Sequence, residues 1–202
     1  MMAKAGDVAL SFTAASTTGS ADSIMAAMFP GMHAPDKPLK VVYGGSGEAV
    51  RLGEELSRSG TSSAPAVSFD TSGSGDASGQ KYTLLMSDPD APSPKNPAKR
   101  EWLHWILTDI QASGAVKKAG TGTTLMHYAG PTPPGGSGAH RYVLTVWKQT
   151  RELSSSATPS NRASFHSKKF ATDHGLEGPI YANYFTVSCL LCRHETTSDR
   201  PC

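Results

Sequence analysis

Residues 82–105 read YTLLMSDPDAPSPKNPAKREWLHW, from Tyr82 to Trp105, and the fold turns on how this stretch is read. An apolar run from Tyr82 to Met86 has the length and content of a strand, and it delivers Asp88 and Asp90 into a loop carrying Pro89, Pro92, Pro94 and Pro97. A second, aromatic run then brings His104 back. Proline fixes its own backbone angle and restricts the residue before it, so the loop limits where the two carboxylates can point. Such stiffness presets a site and would be wasted in a linker.

Working outward, Lys81–Ser87 reads as a strand whose Leu84, Leu85 and Met86 are apolar on both faces, which predicts a central position in a sheet. For 102–109 (WLHWILTD), period-two alternation puts Trp102, His104, Ile106 and Thr108 on one face, and Leu103, Trp105, Leu107 and Asp109 on the other. The clearest strand is His140–Gln149. It directs His140, Tyr142, Leu144 and Val146 one way, and Arg141, Val143, Thr145 and Trp147 the other.

Further strands are predicted at Leu39–Tyr43, Ala66–Phe69 and Ile180–Val187, and 110–127 reads as a connection without a strong pattern. Short helices are predicted at Asp22–Phe29, stopped by Pro30-Gly31, and over 168–174, capped by Ser167 and ended by Gly175. TSGSGDASGQ (71–80) reads as an exposed Gly/Ser loop. At least six strands against two or three short helices make the chain mainly β.

The 202 residues, 38% of them hydrophobic, suffice for one domain that buries roughly 70% of its unfolded surface. The net charge of +2 comes from Lys and Arg scattered along the chain, without the basic stripe of a nucleic-acid binder. No continuous apolar run marks the N-terminal segment, and none approaches the roughly 18 residues that would cross a bilayer, so a cytoplasmic setting is the default expectation. Cys189, Cys192 and Cys202 crowd the C-terminal end, a poor disulfide framework. The Cys189-Leu-Leu-Cys192 spacing lacks a second ligand pair, which favours small apolar residues at a strand end over a metal site. The Gly44–Gly47 cluster has no Lys-Ser/Thr after it and is not a phosphate loop.

A second proline-rich loop, GPTPPGGSGA (130–139), leads into the strand that begins at His140. Two stiff loops, each beside a strand bearing a histidine, thus offer Asp88, Asp90, His104, His140 and Tyr142 as a site. Taken singly, each has an ordinary explanation: aspartates before proline cap turns, and buried histidines fill cores. Convergence at the same ends of apolar strands favours function.

The segments SDPDAPSPKNP, REWLHW and GPTPPGGSGAHRYVLTVWKQ, in this order and at this separation, closely resemble the phosphatidylethanolamine-binding protein family. The resemblance covers roughly 38–188. It leaves 1–37 as a loosely held arm with a possible short helix and 189–202 as a polar tail. It implies a large central sheet packed against a smaller one, with a few short peripheral helices. It also implies cis peptides at Ala91–Pro92 and Arg100–Glu101.

The implied site is a small anion pocket formed by Asp88, Asp90, Pro92, Trp102, His104, Pro133, Pro134, His140 and Tyr142. The implied ligand is the phosphoryl head of phosphatidylethanolamine or a phosphorylated residue of a partner. A kinase or other signalling protein is the implied partner, with no cofactor and no catalysis. Two carboxylates should repel a phosphate by about 4 kcal/mol for unit charges 4 Å apart at an effective dielectric of 20. A protonated histidine would have to offset this, and anion affinity would then fall as pH rises. Two alternatives are a metal-assisted phosphoester hydrolase built on Asp88, Asp90, His104 and His140, and the serine-protease inhibition known in the family.

Overall fold

The computed structural model describes residues 21–28, 35, 39–44, 47–71, 79–111, 116–119 and 122–189. The predicted N-terminal arm before Ala21, the helix stop at Pro30-Gly31, most of the 71–80 loop, and Cys192, Cys202 and the tail around them lie outside the described residues.

Among the described residues, nine strands and two α-helices follow in the order α1 (Ala21–Met28), β1 (Lys40–Val42), β2 (Glu54–Glu55), β3 (Ala66–Asp70), β4 (Lys81–Asp88), β5 (Trp102–Gln111), β6 (Val116–Ala119), β7 (Thr123–Met126), β8 (Ala139–Gln149), α2 (Ser167–Asp173) and β9 (Leu176–Ser188). Six strands form a large sheet in the order β2-β9-β8-β4-β5-β7, and β1-β3-β6 form a small one. The mainly β, two-sheet expectation holds, and β4 lies between β8 and β5, as its two apolar faces predicted.

The sheet faces follow the alternation of side chains. Tyr82, Leu84 and Met86 of β4, with Tyr142, Leu144 and Val146 of β8, pack against Val41, Val67 and Phe69 of the small sheet. Leu85 and Trp147 point the other way, onto Met25 of α1 and Phe170 and Ala171 of α2. Burial of such residues at roughly 25 cal/mol per Å² is what holds the layers together.

Several expectations need correction. Three strands escaped the sequence reading: β2, β6 and β7. The 110–127 connection contains two of them. All three are edge strands, paired with a neighbour on one side only, and the sequences of β6 (VKKA) and β2 (EE) contain the charged residues that natural sheets place at edges. β9 begins at Leu176 instead of Ile180, running through Gly178–Pro179 at a register irregularity, one of the few places a sheet tolerates proline. Ser167 does not cap α2. The cap position is His166, and the Ser167 hydroxyl donates to buried Glu101. Gly175, with φ +65°, follows the last helical turn, consistent with the predicted stop.

In β5 the strict alternation fails. Met86 pairs with Trp105 and Ser87 with Leu103, so His104 is an extra residue, a β-bulge. His104 and Trp105 therefore share the side of Leu107, while Leu103 and Ile106 face the helices. Ala91–Pro92 and Arg100–Glu101 are both cis, as is Gly178–Pro179.

Candidate functional site

Antiparallel pairing puts the last residue of β4 beside the first residues of its neighbours. Asp88 pairs with Trp102 in β5, and Ser87 pairs with Val143 near the start of β8. One end of the large sheet thus gathers Asp88, Trp102, His104, His140 and Tyr142. Above them is a cavity of about 200 Å³, whose wall is completed by Ala91 and Pro92 from the first proline-rich loop and by Thr132, Pro133 and Pro134 from the second. Its volume is below the roughly 300–1,000 Å³ of sites for drug-sized molecules, and suits a headgroup or a small oxyanion.

Of the nine residues singled out, eight line this cavity: Asp88, Pro92, Trp102, His104, Pro133, Pro134, His140 and Tyr142. Asp90 does not. It is 1% exposed and turned into Arg141, which donates its backbone N–H (2.9 Å) and Nε (2.8 Å) to Oδ2 and its Nη2 (2.6 Å) to Oδ1. Such a two-pronged guanidinium contact is among the strongest a carboxylate makes. Asp90 is thus a fixed support behind the pocket wall.

Asp88 is held by a different set. Its Oδ1 accepts the Asp90 backbone N–H at 2.6 Å, and its Oδ2 lies 2.8 Å from His140 Nδ1. The other nitrogen, Nε2, is 2.9 Å from Ser137 Oγ, whose one hydroxyl proton goes to the Pro134 carbonyl at 2.7 Å. The ring is thereby fixed from both sides, by the Asp88 carboxylate at Nδ1 and by Ser137 at Nε2.

His104 is fixed from behind. Its Nδ1 donates to the Ala129 carbonyl at 2.6 Å, which leaves Nε2 as the nitrogen for a ligand, and its ring meets Tyr142 edge-on at 5.1 Å. Burial pushes its pKa below the ordinary histidine value, against smaller opposing effects of the Ala129 bond and Asp88. Burial therefore favours a neutral ring. Tyr142 is pushed the other way: burial, then Asp88 and Asp90, raise its phenol well above the usual range and keep it an O–H donor.

The profile of the family described as "Phosphatidylethanolamine-binding protein" matches residues 46–185. The chain belongs to this family. Relatives within it include the Protein BROTHER of FT and TFL 1 of Arabidopsis thaliana, 36% identical over 156 residues, covering 77% of this chain and 82% of that protein. The Protein TWIN SISTER of FT, also of Arabidopsis thaliana, is 39% identical over 147 residues, covering 73% and 77%. Among solved structures, a carboxypeptidase Y inhibitor in complex with its cognate proteinase superposes with a TM-score of 0.66 at 27% identity, covering 76% of this chain and 83% of the other. A phosphatidylethanolamine-binding protein from Plasmodium vivax gives 0.64 at 22% identity, covering 81% and 92%, and shares the fold.

In this member of the family, four residues of the site had no signal in the sequence. Lys99 lines the mouth with its Nζ 5.9 Å from the Trp102 ring centroid, yet in the sequence it is one more lysine in a loop. Arg141 reads only as the outward neighbour of His140. Ser137 sits unremarked in the Gly-rich loop. Arg162, 58 residues from His104, donates to the carbonyls of Leu103 (2.9 Å), His104 (3.0 Å) and His127 (2.7 Å). Only a fold can bring such a residue to the bulge.

Proposed function

We propose that the cavity binds a phosphoryl group, carried by a lipid headgroup such as that of phosphatidylethanolamine or by a phosphorylated residue of a partner. The chain then acts as a cytoplasmic binding protein in signalling, with a kinase or another signalling protein as its partner, and carries out no reaction of its own. One observation carries this: each carboxylate expected to repel an anion is engaged inside the protein, Asp88 by the His140 imidazole and Asp90 by the Arg141 guanidinium. Beside them, His104, Tyr142 and Lys99 line the cavity as the groups able to donate to an anion.

An entering oxyanion favours the imidazolium that burial disfavours. Binding therefore takes up a proton at His104, and affinity falls as pH rises. Titration calorimetry with inorganic phosphate should detect binding that weakens at least about tenfold in His104→Gln, the loss of roughly one charge-assisted hydrogen bond. Sulfate, whose charge is constant over this range, should bind more weakly at pH 8 than at pH 5.5. No phosphate binding, or a flat sulfate series, would defeat the proposal.

The hydrolase reading finds less support. Asp90 is committed to Arg141, and among the described residues no group of three or more His, Cys, Asp or Glu side chains is placed to hold a metal ion. Inhibition of a protease is favoured by the likeness to the carboxypeptidase Y inhibitor, and titrating carboxypeptidase Y activity with this chain tests it.

A further inference from the structure

Taking the phosphoryl pocket above as given, we infer that it selects a phosphate monoester with no ammonium beside it, such as a phosphorylated serine or threonine side chain, and discriminates against ethanolamine phosphate. Lys99 is the residue that sets this choice. An ethanolamine head presents a phosphate and, two carbons away, a cation, and the cation needs a carboxylate. The site has two carboxylates and both are already engaged. Asp88 lies 2.8 Å from His140 Nδ1 and also receives the Asp90 N–H. Asp90 is outside the lining, held by three donors of Arg141.

The charge that remains at the mouth has the wrong sign for an ammonium. Lys99 is exposed, lines the opening, and rests 5.9 Å from the centre of the Trp102 ring. That ring face is the natural seat for a ligand's cation, and the protein's own lysine already occupies it. From there the long side chain can swing onto the second charge of a dianionic monoester. A lipid surface is disfavoured on separate grounds. Among the described residues the one large hydrophobic side chain that is well exposed is Leu52, which is not part of the cavity lining, so no apolar rim is offered for insertion.

Ethyl phosphate and ethanolamine phosphate differ by the ammonium, and calorimetric titration of the intact chain with each, at a pH where both phosphates are dianions, isolates it. The wild type should bind ethyl phosphate on the order of tenfold more tightly, from one like-charge contact. Lys99→Met should bring the two affinities together, and Lys99→Glu should reverse the preference. Exposed at the mouth, position 99 tolerates either change, and a phosphoserine peptide should compete with ethyl phosphate where phosphatidate vesicles do not. Equal or tighter binding of ethanolamine phosphate by the wild type would overturn the selectivity and leave the pocket standing. So would a preference that does not move in Lys99→Glu, while vesicles outcompeting the peptide would reassign the ligand to a lipid. Failure of both small phosphates to bind would remove the pocket reading itself.

Discussion

Asp88 and Asp90 stand two residues apart on one stiff loop, yet they end in different surroundings: one in the cavity wall with a histidine, the other behind it with an arginine. A sequence pattern of Asp-Pro-Asp cannot distinguish these fates, because the partners come from β8, about fifty residues later. The arrangement has a measurable consequence. Arg141→Met should leave the buried Asp90 carboxylate with only the Arg100 guanidinium, 3.9 Å away, at a cost of about 3 kcal/mol in urea unfolding. Adding Asp90→Asn to that variant should recover most of the loss, since the penalty belongs to the buried charge. An unchanged double variant would show that the lost contacts of Arg141, and not the charge, were responsible.

At the scale of elements, the bulge in β5 is the device that makes the site. A regular strand would leave His104 and Trp105 on opposite faces. The extra residue lets the histidine face the cavity while the tryptophan still fills the core between the sheets. Arg162 secures it by donating to three carbonyls on two segments, and the Ala129 N–H donates to the His104 carbonyl at 2.9 Å. Arg162→Met should cost about 2 kcal/mol of stability through the unmet carbonyls, and should weaken phosphate binding further by freeing the His104 ring. Arg162→Lys should rescue little, because an ammonium cannot fork across carbonyls on separate segments. Hydrogen exchange at the Ala129 amide, faster in both variants, would tie the effect to the bulge; unaltered exchange would place it elsewhere. Neither bulge nor clamp was legible beforehand, since period-two alternation assumes a regular strand and nothing local marks position 104 as supernumerary. The central strands β4 and β8 were legible, as each buries both faces and carries an uninterrupted apolar pattern.

For the molecule as a whole, the buried site groups couple the fold to pH. His104 has its pKa lowered by burial, so below about pH 6.5 the unfolded chain takes up a proton that the folded chain resists. Stability from this group is complete above that pH and is lost as pH falls toward the folded value. Glu101 runs in the opposite sense. Burial raises its pKa, more than the hydrogen bonds from Ser167 and Ser87 lower it, so its contribution is lost as pH rises through the folded value. Comparing the wild type with His104→Gln cancels Glu101. Between pH 7 and 5 the wild type should lose more stability than the variant in denaturant titrations, and parallel curves would deny His104 this role.

Local sequence was sufficient for what repeats along a strand or is carried by a contiguous motif. The mainly β class and the central place of β4 follow from alternation and apolar runs, while the two-sheet architecture and eight of the nine expected cavity residues follow from the family resemblance carried by three contiguous motifs. Contacts made across the sheet were decided only by the tertiary structure: the pairing of Asp90 with Arg141, the contact of His140 with Asp88, the bulge at His104 and its hold by Arg162, and the lysine over Trp102. The physical reason is range. Backbone preference and hydrophobic periodicity act over a few residues, whereas the charge state of a pocket depends on which distant side chains the fold sets within hydrogen-bonding distance.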